Sequence, residues 1–182
     1  MTASQARISG GDGERLSVVV DVRERSPWMF QNYSVEVVRA ELKYGGYSLL
    51  GFEERVAVKR LSVAELTEYL TRNRDGFERE LMGLSRLEES AVIVVGTMND
   101  ISRYTGRLGL KTSTITRPML VMSMRHQVPV VPHKTNQIAE QDAFKLLADF
   151  KGRHEASAGE AQAMADLEDM GRRRAAKGKG RE

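Results

Sequence analysis

The sequence predicts an α/β protein in which a mixed central sheet lies between layers of helices. Residues 16–22, 91–95 and 128–131 are compact β-branched runs without polar alternation, as in strands covered on both faces. The long segments between them carry apolar residues at helical spacing, so strands and helices alternate along the chain. Three further strand-like runs, 33–39, 47–50 and 55–59, follow one another on short turns. They predict an antiparallel meander that begins the sheet.

Composition sets the outer bounds. With 182 residues, 41% hydrophobic and 29% charged, the chain suits one α/β domain plus tails. No apolar run approaches the roughly 20 residues that span a bilayer, and the N-terminus carries no hydrophobic signal segment. Cysteine is absent, which excludes disulfides, thiolate zinc sites and a thiol nucleophile. An intracellular protein is expected, in the cytoplasm or nucleoid, or in a eukaryotic nucleus, with no membrane partner. A net charge of +3 permits nucleic acid without demanding it.

Residues 1–14 are polar, and Gly10-Gly11-Asp12-Gly13 cannot hold regular structure, so a flexible leader is expected. A domain over 15–150 follows. Asp21 lies at the C-terminal end of the first strand, which is where sites form in open α/β sheets. Trp28 and Phe30 occupy the next loop and either stack on bases or pack the loop onto the sheet. Glycine-marked turns at Gly45-Gly46 and Gly51 bracket the short strand 47–50. The run 55–59 then leads into a helix that starts at Ser62. Ser62 with Glu65 three residues on forms a capping box.

From Ser62 to Leu87 the residues Val63, Leu66, Leu70, Phe77, Leu81 and Leu84 fall at helical spacing. Residues 72–76 break or bend the run. Arg72, Arg74 and Arg79 share this region with several glutamates, either as a solvated face of local ion pairs or as a phosphate-facing surface. After the core strand 91–95, residues 99–104 predict a short helix. Pro118 places another helix start beside it, capped by Thr116 or Arg117. The run 119–124 is apolar on all sides of a short helix, so it is buried or meets a partner. An amphipathic helix over 137–150 turns Ile138, Phe144, Leu147 and Ala148 inward. Residues 154–168 predict at most a marginal helix. Residues 171–182 hold six basic residues against one acid, and 151–182 as a whole reads as a disordered tail with a basic end.

Three stretches carry a resemblance: Val20-Asp21-Val22-Arg23-Glu24, Gly45-Gly46-Tyr47 and Lys59-Arg60-Leu61-Ser62-Val63-Ala64-Glu65-Leu66. In this order they resemble the nuclease domain of the XPF-type structure-specific DNA endonucleases. That family reads Asp-x-Arg-Glu, then Gly-Asp-Tyr, then Glu-Arg-Lys-Ser-x-x-Asp-Leu. The similarity runs from about residue 16 to 150 and implies a restriction-endonuclease-like α/β/α sandwich with a mixed central sheet.

The departures fall on the catalytic positions. Gly46 stands where the family has Asp, Lys59 where it has Glu and Leu61 where it has Lys. Glu65 replaces Asp, and Val95 lies near the family's acid on the next core strand. Asp21, Glu24 and Arg60 are the family positions retained, and Asp21 is at best a weak metal ligand. Metal-dependent phosphodiester cleavage needs several carboxylates around one or two divalent ions. Here a cation stands where a ligand is needed.

Other chemistries lack their patterns. His126, His133 and His154 do not have zinc-site spacing, and no serine sits in a nucleophile elbow. The resemblance therefore implies a DNA-binding protein of nuclease fold whose catalysis is absent or much weakened. Branched or flapped DNA is the expected partner, met through Arg23, Lys59, Arg60, Arg72 and Arg74. No cofactor is required, with Mg²⁺ needed for any residual activity. An active endonuclease with a rearranged site and a pure protein–protein module are the alternatives. A homodimer, or a heterodimer with a related nuclease subunit, is expected through Met119, Leu120, Met122, Phe144 and Leu147.

Overall fold

The computed structural model describes residues 15–178, so the expected leader lies outside the described residues. The chain divides into two compact units, one ending at Leu147 and the other beginning at Ala148. The first holds a six-stranded sheet in the order β2-β1-β3-β4-β5-β6. Its strands are β1 (Leu16–Asp21), β2 (Val35–Ala40), β3 (Tyr47–Leu49), β4 (Val56–Ser62), β5 (Glu89–Val95) and β6 (Val130–His133). Only β3 runs antiparallel to its neighbours. The sheet is thus mixed, as expected, but the meander is not formed. β1 inserts between β2 and β3, and β2 pairs with β1 in parallel at the sheet edge. The run 33–39 is short and half-exposed, as an edge strand would be, and its local sequence does not say which neighbour it takes.

The β-branched runs form the centre. Val18, Val19, Val20, Val92 and Val94 are fully buried, which requires helices or loops on both sheet faces. On one face Ala57 and Leu61 of β4 and Val92 and Val94 of β5 pack against four helices. These are α1 (Val63–Arg72), α2 (Arg74–Leu84), α3 (Met98–Arg107) and α4 (Ser113–His126). The break between α1 and α2 falls at Asn73, whose side chain accepts from Gly76 N–H and so caps the second helix. On the other face Trp28 stacks on Tyr47 at 4.8 Å and Phe30 meets Tyr47 edge-on at 5.9 Å. Tyr33 stacks on Phe144 of α5 (Asn136–Gly178) at 4.0 Å. Trp28 and Phe30 are therefore core residues and not a stacking platform for bases.

α4 differs from expectation in its start. It begins at Ser113, so Pro118 is inside the helix and Thr112 precedes it without a side-chain cap. The Pro ring removes one N–H from the ladder, a cost of about 3 kcal/mol that burial of Ile115, Met119 and Met122 offsets. Nor is the Met-rich run uniformly displayed. Met119 and Met122 lie in the core, whereas Leu120, Val121 and Met124 are exposed. In α5 the buried stripe is Ala139, Ala143 and Leu147, spaced four residues apart, and Ile138 is exposed. Of the five residues expected at a dimer interface, Met119, Met122 and Leu147 are occupied within the chain's own core. Phe144 is half-buried, and Leu120 remains available. The helix continues to Gly178, and residues 179–182 of the expected tail lie outside the described residues. In the second unit Lys151 pairs with Glu155 and Ser157 bonds back to the Arg153 carbonyl.

Candidate nucleic-acid interface

All five parallel strands end at one rim of the sheet, and the turn before β3 returns to the same rim. The result is a polar cleft of about 680 Å³. Its lining includes Asp21, Glu24, Lys59, Arg60, Glu65 and Glu80. Arg23 also lines it, so five of the residues expected at the site from sequence are gathered in one place. Arg72 and Arg74 stand exposed on either side of Asn73, which lines the cleft.

Asp21 is buried, and each of its carboxylate oxygens accepts two hydrogen bonds. Oδ1 takes the backbone N–H and Nε of Arg23 at 2.7 and 2.8 Å. Oδ2 takes Arg23 Nη2 at 2.8 Å and Leu42 N–H at 2.7 Å. Arg23 Nη2 also donates to the Leu42 carbonyl. Burial alone would raise this carboxyl, but the bonds from Arg23 and Leu42 outweigh it and hold the pKa down to about 2. A carboxylate has about four lone-pair sites, and here all are filled. Asp21 is a clamp between the end of β1 and the segment after β2. The same contact raises the pKa of Arg23, whose side chain is otherwise well exposed.

Glu24 is held differently. Its carboxylate lies 4.0 Å from Lys59 Nζ and 3.7 Å from Arg60 Nη1. Burial raises its pKa against the pull of Lys59 and Arg60. It sits over Gly46, where an added Cβ would come within 2.4 Å of Oε1. The absence of a side chain at position 46 is what gives Glu24 this place. Gly45 beside it has φ +78° and donates its N–H to Glu80 at 2.8 Å, so the turn is anchored to α2.

Arg60 reaches across the other sheet face. Its guanidinium lies over the Trp28 ring at 5.7 Å and donates through Nη1 to the Ser26 carbonyl at 2.7 Å. Its Nε is buried without a partner. The aromatic support from Trp28 and Tyr47 was not legible in sequence. Its only signal was an aromatic pair near the Asp-x-Arg-Glu motif. Burial pushes the Tyr47 hydroxyl up to about 12 while that oxygen accepts from Trp28 N–H.

Leu61, at the family's Lys position, points into the core with 2% exposure. Glu65 is committed to the capping box: Ser62 N–H donates to it at 2.7 Å, and its own N–H donates to Ser62 Oγ. Val95 pairs with Ser62 and His133 in register and brings no acid. A divalent ion therefore finds no fitting donor set at this rim. One acid is saturated, one lies between two cations, and among the described residues no three acidic or histidine groups converge as a metal site.

No protein-family model matches the chain, and no curated protein matches it. Solved structures do. XPF from Aeropyrum pernix in complex with DNA superposes with a TM-score of 0.59 at 20% identity, over 76% of this chain and 66% of that one. A second structure of XPF from the same organism gives 0.58 at 20% identity, over 79% of this chain and 69% of that one. The chain has an XPF-like fold. The mixed-sheet α/β architecture is consistent with the restriction-endonuclease-like sandwich expected from the motifs. No helix among the described residues is long and apolar enough to cross a membrane.

Proposed function

We propose that this chain binds DNA without cutting it, recognising branched or flapped DNA as a structural subunit. The observation that carries the reading is Lys59 beside Arg60 at the rim of an XPF-like fold. In the resembled family a metal ligand occupies the first of these positions. A cation there repels a divalent ion and attracts a phosphate. The XPF of similar fold solved with DNA supports DNA as the polyanion. Arg72 and Arg74, exposed on either side of Asn73, add two cations at the cleft edge, so binding is mostly electrostatic and falls steeply with salt. No cofactor takes part. Asp21, Glu24 and Arg60 keep the family's positions but serve the frame and the charge balance.

The subunit is proposed to pair with a second copy or with a related nuclease subunit through the exposed Leu120, Val121 and Met124 of α4. Light scattering on the eluting protein tests this, with about twice the chain mass expected.

A cleavage assay on flap, fork and duplex DNA with Mg²⁺ or Mn²⁺, run beside a binding assay on the same substrates, tests the function. Binding without cleavage is expected. Metal-dependent cleavage lost in Asp21→Ala would overturn the reading in favour of an active endonuclease. Absence of all DNA binding would leave a protein–protein module.

A further inference from the structure

We propose that Glu24 is a built-in surrogate for phosphate: its carboxylate occupies an anion subsite formed by Lys59 and Arg60, and it yields that place to a backbone phosphate of bound nucleic acid. The inference deepens the DNA-binding reading and rests on it. Four observations meet at this one place.

The first is distance. Charge-assisted hydrogen bonds close to about 2.7–2.9 Å. Glu24 stands 4.0 Å from Lys59 and 3.7 Å from Arg60, close enough for charge neutralisation but too far for a hydrogen bond. The second is unused capacity on the cations. Arg60 donates through Nη1 to the Ser26 carbonyl, but its Nε is buried with no acceptor, so one donor of the guanidinium is unused. The third is space. Gly46 leaves room under Glu24, and the subsite opens into the 680 Å³ cleft, so the carboxylate has both a seat and a way out. The fourth is solvation. Lys59, Arg60 and Glu24 side chains are only 20%, 19% and 13% exposed, so a charge lost from the group is felt strongly by the other two.

A phosphodiester suits this seat better than the carboxylate does. Its two charged oxygens diverge from a tetrahedral centre and can meet an ammonium and a guanidinium together. In the free protein Glu24 offsets one of the two positive charges of Lys59 and Arg60. On binding it swings out, and one more phosphate contact is gained. Lys59 therefore contributes little to affinity while Glu24 is charged and much once that charge is removed.

Fluorescence anisotropy of a labelled flapped duplex across a salt series tests this on the full chain. The proteins compared are the wild type, Glu24→Gln, Lys59→Gln and the double variant. Glu24→Gln is expected to bind about tenfold more tightly at an unchanged log–log salt slope, because the wild type makes the same phosphate contact but must first displace its own carboxylate. Lys59→Gln should change wild-type affinity by less than about twofold yet abolish the gain in the Glu24→Gln background, the non-additivity of groups that share one site. Glu24→Ala, which leaves no amide to hydrogen-bond Arg60, should keep the same ordering, and its melting curve reports whether the fold survives.

Equal or weaker DNA binding by both Glu24 variants, or a gain that persists without Lys59, overturns the surrogate while leaving DNA binding in place. If no protein in the set binds DNA, titration of Glu24→Gln with pyrophosphate separates the two claims. Lys59-dependent binding of pyrophosphate would retain the subsite and reject the DNA reading, and no binding would reject both.

Discussion

Asp21 and Glu24, two acids three residues apart at one strand end, illustrate opposite uses of a carboxylate with little exposure. Asp21 has every lone pair filled at 2.7–2.8 Å, and three of its four donors belong to the adjacent Arg23. Glu24 makes only long ion pairs, and its pKa moves up where that of Asp21 moves down. Nearby cations do not by themselves stabilise a carboxylate. Geometry that satisfies its lone pairs does, and where that is missing the desolvation cost wins. One acid is a fixed clamp and the other a displaceable charge.

Four variants or conditions sharpen or break this contrast. The largest effect is expected from Leu61→Lys, which would restore the family's residue. At 2% exposure in the helical core the ammonium has no solvent and no partner, so a loss of about 4 kcal/mol or more is expected in denaturant unfolding. A near-neutral result would mean that position 61 can turn toward the cleft.

Next comes Asp21→Ala, which strands the Leu42 N–H and frees Arg23. A loss of about 3 kcal/mol in stability is expected, with DNA affinity per folded molecule little changed. The same clamp gives a pH signature. The folded pKa of about 2 lies below the ordinary 3.8, so the contribution is present above about pH 4 and is lost as pH falls through 2. It is worth about 2 kcal/mol. Acid titration of wild type against Asp21→Asn should show that difference vanish below pH 2. The smallest effect is Glu24→Gln, within about 1 kcal/mol of wild-type stability because the exchange removes both a weak ion pair and a desolvation cost. A loss as large as that of Asp21→Ala would mean the two acids are equivalent after all.

The frame was legible in sequence where local pattern and packing agree. The β-branched runs became the central strands, the Ser62–Glu65 box capped α1, and the break near Asn73 divided two helices. The motif positions Asp21, Glu24 and Arg60 met at one rim because parallel strands end together. What escaped was non-local. Nothing near β2 states that it pairs with β1, since pairing partners are set by the assembled sheet. The exposed stripe of α4 was hidden because an apolar run of five side chains carries no period to say which of them turn inward. Lys59 read as a free cation in sequence, but the Glu24 that screens it lies 35 positions earlier.

β3 carries one more consequence. It is three residues long, and it joins β4 through a single bridged pair, Tyr47 with Val58, next to a Gly46 N–H to Val58 carbonyl bond of 2.8 Å. By contrast β4 and β5 are in register over seven residues and β1 and β2 over six. The sheet is therefore two well-stitched parallel halves joined by a short seam, and the cleft opens above that seam. Amide hydrogen exchange should release the seam before either half, as one cooperative opening unit. The chain would then give way along the line where nucleic acid is proposed to lie.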